Sequence, residues 1–142
     1  MTQIGAVRGA ISVHIDDEVF AEWVKEAVEL LPRRFRDALQ NITIDIEDRP
    51  TRETLRETET PRGDVLLGFY LGVPLTERSH DYGAYGALPD RIVLYKRNIE
   101  CVADTHEEVR EEVALTLLHE VGHYFGMTED QLAEFELIEP DE

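Results

Sequence analysis

The chain has 142 residues, 42% hydrophobic and 32% charged, which suits one soluble globular domain (residues 1–142) and excludes an intrinsically disordered polymer. The formal net charge is −17, so the surface repels phosphate backbones and nucleic acid is not an expected partner. The one cysteine, Cys101, excludes an intramolecular disulfide, and no apolar run is long enough for a membrane helix.

Met1 to Arg8 lack a basic segment followed by a long apolar one, so no secretory signal is expected, and a cytoplasmic location is the expectation. Residues 1–12 read as a flexible end, as do residues 137–142. Asp16 or Asp17 can cap a helix beginning near Glu18, with Phe20, Trp23, Val24, Ala27, Val28 and Leu31 at helical spacing. Pro32 fits the first turn of a second short helix, Arg33 to Leu39, with Phe35 and Leu39 inward. Ile42 to Asp48 alternates apolar and polar residues and predicts a half-buried strand.

Residues 49–64 are polar and bounded by Pro50, Pro61 and Gly63, so they read as a surface excursion with room for one helical turn. A second strand is expected over Val65 to Leu71, ending at Gly72. Residues 76–89 hold Gly83, Gly86, Tyr82, Tyr85 and Pro89 and read as an irregular loop able to close over a ligand. Arg91 to Arg97 predicts a third strand, with Asn98 and Ile99 able to continue it. Thr105 and Glu108 form a capping box, and Val109, Val113, Leu117, Val121 and Phe125 then mark a helix of about 30 Å.

The last two turns of that helix carry His119-Glu120-Val121-Gly122-His123, an H-E-x-x-H sequence. Residues four apart share a helix face, so His119 and His123 can aim two imidazoles at one Zn²⁺ ion. Glu120 is then placed to hydrogen-bond a water on that ion without being a ligand, which is the position of a general base. The pentapeptide arises by chance in such a composition at roughly 2–3%, so the residues after it matter. Gly126 can stop the helix in a left-handed conformation and turn the chain back. A third ligand just past that turn would be an acid, Glu129 or Asp130. Thr128 to Gln131 also reads as a capping box, in which case acids in the first turn are favoured by the helix dipole alone. Seven acids and no Lys or Arg lie between Glu129 and Glu142, which reads as a solvated end.

Gly72 to Arg78, Leu88 to Ile92 followed by Tyr95, and His119 to Gly126 together resemble the small stand-alone zincin-like metallopeptidases of bacteria. The resemblance spans about residues 14–136. It implies an α+β minimal zincin fold: a small mixed sheet of three to four strands, two N-terminal helices and a long active-site helix. It also implies an acidic third ligand after the glycine and a substrate lying beside an edge strand, with Arg91 to Arg97 the candidate.

The expected activity is zinc-dependent hydrolysis of a peptide or protein, with Glu120 moving the proton. Tyr82 and Tyr85 are candidate oxyanion donors, and His80 is a candidate to approach the metal. The alternative is a metal- or peptide-binding module with little catalysis. A metal-dependent RNA hydrolase is disfavoured by the missing third histidine and the charge of −17. His14 and His106 are expected on the surface, and Cys101 as a packing residue.

Overall fold

The structure is a computed structural model and describes residues 2–5, 13–72, 90–128 and 130–132, the first four through their backbone. In chain order its elements are β1 (Thr2–Gly5), α1 (Asp17–Leu30), α2 (Arg33–Ala38), a 3₁₀ turn (Leu39–Asn41) and β2 (Ile42–Glu47). Then come α3 (Arg52–Glu57), β3 (Val65–Leu71), β4 (Asp90–Tyr95), α4 (Lys96–Cys101) and α5 (His106–Tyr124). The strands form one mixed sheet in the order β1-β3-β4-β2, with β3 antiparallel to both neighbours and β2 parallel to β4.

The long helix follows from its apolar spacing. Val109, Val113, Leu117 and Val121 lie one turn apart and are all wholly buried. Thr105 caps it, its Oγ1 accepting the Glu108 N–H at 3.1 Å. The Glu108 carboxylate accepts the Asp104 N–H at 2.6 Å, one residue further out than the usual box partner. The same spacing logic makes α1, which buries Phe20, Val24 and Ala27 against α5. Pro32 precedes α2 rather than sitting in its first turn, and its carbonyl accepts the N–H groups of Phe35 and Arg36 at 2.9 and 3.1 Å.

The main core lies between these helices and one sheet face, with Phe35, Leu67, Ile92 and Leu94 in it. The other face carries Leu66, Val93 and Tyr95, partly covered by Leu55 of α3, the helical turn expected within residues 49–64.

Three expectations are corrected. The third strand ends at Tyr95 and does not continue through Ile99; residues from Lys96 on form α4. Tertiary partners decide this: Lys96 Nζ donates to the buried Glu100 carboxylate one turn away at 2.9 Å, and Asn98 Nδ2 donates to the Leu66 carbonyl at 2.8 Å. The stretch 1–12 is not uniformly a loose end, because residues 2–5 form β1. Strand β4 is not an edge: β3 and β2 flank it, and the edges are β1 and β2. A four-residue strand has too little alternation to announce itself; backbone pairing makes it.

The β1–β3 register shifts between Gln3 and Ile4, whose partners are Gly68 and Leu66, so Leu67 is an extra residue on β3. Such a bulge lets two successive residues face the same way. Leu67 enters the main core, and Gly68 also faces α5.

Candidate metal centre

Helix α5 carries His119, Glu120 and His123 in its last two turns. Glu120 is wholly buried and His123 nearly so, while His119 is half-buried. His123 Nδ1 lies 3.4 Å from Glu120 Oε1. His119 Nδ1 lies 2.9 Å from the Leu115 carbonyl. A carbonyl can only accept, so Nδ1 carries the proton, and the neutral ring presents its lone pair at Nε2. An imidazole tied to a backbone carbonyl in this way is held in one tautomer and orientation, as metal-ligating histidines are.

Neither carboxylate oxygen of Glu120 has a hydrogen-bond partner among the described residues. A buried carboxylate left so carries a large desolvation cost. A cation beside the two histidines, together with its water, would offset it. The donor set, two imidazoles one helical turn apart with a carboxylate between them in sequence, fits a zinc ion.

Two glycines set the site's surroundings. Gly68 lies beneath Glu120: a Cβ there would stand 3.4 Å from Glu120 Cγ and 2.7 Å from Thr116 Cγ2. Gly122 faces the chain that returns after the helix, and a Cβ there would stand 2.2 Å from Leu132 Cδ2. Position 122 is about 60° round the helix from His119, so the returning segment packs beside the histidines and not behind the helix. Sequence reasoning singles out neither glycine, although an isolated glycine inside a strand pattern is itself a sign of close approach.

The helix stops as the sequence predicts. Gly126 has φ +69°, its N–H reaches the His123 carbonyl at 3.0 Å, and the Met127 N–H reaches the Gly122 carbonyl at 2.9 Å. These two bonds make a Schellman motif. The Thr128–Gln131 capping box is present too: the Gln131 N–H meets Thr128 Oγ1 at 3.2 Å, and the Thr128 N–H meets Gln131 Oε1 at 2.8 Å.

Among the described residues, no group of three or more His, Cys, Asp and Glu side chains is arranged to hold a metal. Asp130 is exposed in the first turn after Thr128, and Glu129 lies outside the described residues. His80, Tyr82, Tyr85 and the rest of the 76–89 loop lie outside them as well. Tyr95 is on β4, where burial and then the charge of Glu47 push its phenol up to about 12. His14 and His106 are exposed, and Cys101 is half-buried at the end of α4. No helix among the described residues is long and apolar enough to cross a membrane.

A model of the zincin-like metallopeptidase family matches residues 39–138. The chain belongs to the zincin-like metallopeptidase family. Among solved structures, a conserved hypothetical protein from Thermo thermophilus is similar, at 28% identity and a TM-score of 0.51. That match covers 78% of this chain and 94% of the other. No curated protein matches the chain. The zincin-like span takes in β2, β3, β4, α3, α4 and α5 and leaves β1, α1 and α2 outside it.

Proposed function

We propose that this zincin-like chain is a zinc-dependent peptidase. His119 and His123 would hold the metal, with one acid of Glu129 and Asp130 as third ligand. Of the two we favour Glu129, since Asp130 is exposed and joins no three-ligand group among the described residues. Bound there, zinc supplies Lewis acidity, which polarises a peptide carbonyl and makes water a stronger acid.

Glu120 is the general base. Its carboxylate takes a proton from the attacking water and returns it to the leaving amine. Burial keeps this carboxylate out of bulk solvent, and the bare backbone of Gly68 leaves room for its Cγ. His123, 3.4 Å away, is the nearest cation-capable neighbour that the described residues give it. The backbone bond at His119 Nδ1 orients that ring and leaves Nε2 as its donor atom.

The observation that carries this reading is the wholly buried Glu120 carboxylate, without a hydrogen-bond partner among the described residues, between two histidines one helical turn apart. The test is metal analysis of the purified protein beside His123→Ala and Glu120→Gln. Zinc near one equivalent, lost in His123→Ala and kept in Glu120→Gln, supports the site. Hydrolysis of peptide substrates should vanish in Glu120→Gln. Loss of zinc from Glu120→Gln would make Glu120 a ligand and remove it as the base.

A further inference from the structure

Strand β3 passes beneath the general base, where Gly68 lies against Glu120. A peptide that adds to a sheet does so along a strand with an open backbone edge. To bring its carbonyl beside Glu120, it must run along β3 near Gly68. One edge of β3 is bonded to β4, where Gly68 faces Leu94. The other is bonded to β1, where Gly68 faces Gln3. The edge of β3 that faces away from β4 is therefore filled by four residues of the chain itself, running antiparallel as an added peptide can.

Three further observations separate β1 from the rest of the sheet. It lies outside the span that the family model matches. It packs beside α5, the helix that bears the histidines. It is also short, and its pairing is interrupted by the register shift at Gln3/Ile4, whereas β2 pairs with β4 over six unbroken positions. Each backbone hydrogen bond contributes little net stabilisation, so a broken four-residue pairing is the part of the sheet most readily exchanged.

We propose that Thr2–Gly5 occupies the peptide-binding edge of β3 in the manner of a substrate strand and must leave it before an extended peptide can bind there. This rests on the peptidase reading for the role of Glu120. The chain thus carries its own competitor for that edge, and its occupancy by β1 sets how readily a peptide binds there.

The test uses the full chain with Glu120→Gln, so that binding is read without turnover, and Cys101→Ser, which removes the one natural thiol. Thr2→Cys and Phe69→Cys replace two register partners. Phe69 packs with the cluster on the face away from Glu120, so the bridge stays clear of the site. The probe is a fluorescein-labelled unstructured casein peptide, followed by anisotropy with zinc present. The oxidised, locked protein should bind it at least tenfold more weakly than the same protein after reduction. If the cysteine pair does not fold, Gln3→Pro with Ile4→Pro decides, because two prolines cannot hold the pairing. That release variant should bind at least tenfold more tightly than its parent. Equal binding by locked and reduced forms, or by parent and release variant, overturns the inference and makes β1 a permanent strand; so does binding by none. Peptide that the released Glu120 protein binds but never cleaves would instead refute the peptidase reading and leave this one standing.

Discussion

Gly68 of β3 and Thr116 of α5, one helical turn before Glu120, meet across the sheet–helix interface at a distance that only a glycine permits. A Cβ at position 68 would stand 2.7 Å from Thr116 Cγ2, 3.2 Å from the Val93 carbonyl and 3.4 Å from Glu120 Cγ. The sheet is thereby the floor against which the carboxylate is set, and the Leu67 bulge is what turns position 68 towards it.

Gly68→Ala tests that floor. Alanine gains about 0.5–1 kcal/mol from the lost flexibility of glycine in a strand. Overpacking against a backbone carbonyl and a wholly buried Thr116 costs about 1–3 kcal/mol. The clash wins, so the midpoint of thermal unfolding should fall by several degrees. Activity should fall further than stability predicts, because the displaced Thr116 lies one helical turn before Glu120 on the same face and moves it too. A variant as stable and as active as the parent would mean that α5 does not rest on Gly68.

Gly122→Ala separates helix from site. Within α5 the substitution favours the helix by about 1 kcal/mol. The added methyl meets three atoms of wholly buried Leu132, the nearest at 2.2 Å. Leu132 must then give way, and because it is wholly buried its displacement should shift the turn that follows Thr128 and the acids in it. Far-UV circular dichroism should keep its helical signal while zinc affinity drops at least tenfold. Unchanged zinc affinity would show that neither acid is a ligand.

The candidate site is legible because its two histidines and glutamate sit within five consecutive residues on a helix whose apolar spacing is regular. Gly126 and the Thr128–Gln131 box were legible for the same reason, since helix ends are written in local residues. Strand β3 came out with its expected bounds because it is a continuous apolar run between turn residues. What stayed hidden depends on partners far away in sequence. Helix α4 follows an apolar strand without a break, and its helicity rests on Lys96, Asn98 and Glu100 finding buried partners. Strand β1, the edge position of β2 and the meeting of Gly68 with Glu120 are all consequences of register, which no local pattern states.

Lys96 and Glu100 form a buried pair, each about 2% exposed, and Glu100 also accepts the Ile15 N–H at 2.8 Å. Asp17, the other acid near Lys96, is 92% exposed and counts for little. Lys96→Met leaves the Glu100 charge buried without its cation and should lower stability by about 3–5 kcal/mol. Adding Glu100→Gln should recover part of that loss, since an amide oxygen still accepts the Ile15 N–H. Urea midpoints of the two variants give the comparison. A double variant less stable than Lys96→Met would show that the charge of Glu100 is held by something other than Lys96.

Tyr95 makes the fold sensitive to alkali. Burial first, and the charge of Glu47 second, push its phenol from the ordinary 10 up to about 12, against the lowering effect of a hydrogen bond with Thr54. The unfolded chain therefore loses this proton near pH 10 and the folded chain near pH 12. Between those values the unfolded state binds fewer protons, so stability falls as pH rises through the window and is complete below it. At about 1.4 kcal/mol for each pKa unit, the loss is on the order of 2 kcal/mol. Tyr95→Phe should cost about 1 kcal/mol at pH 8 through the lost bond to Thr54. Between pH 10 and 12 its stability should decline less steeply than that of the parent, until the two curves meet or cross. Urea midpoints measured across that range decide it: parallel curves would mean that the Tyr95 proton is no harder to remove in the folded chain than in the unfolded one.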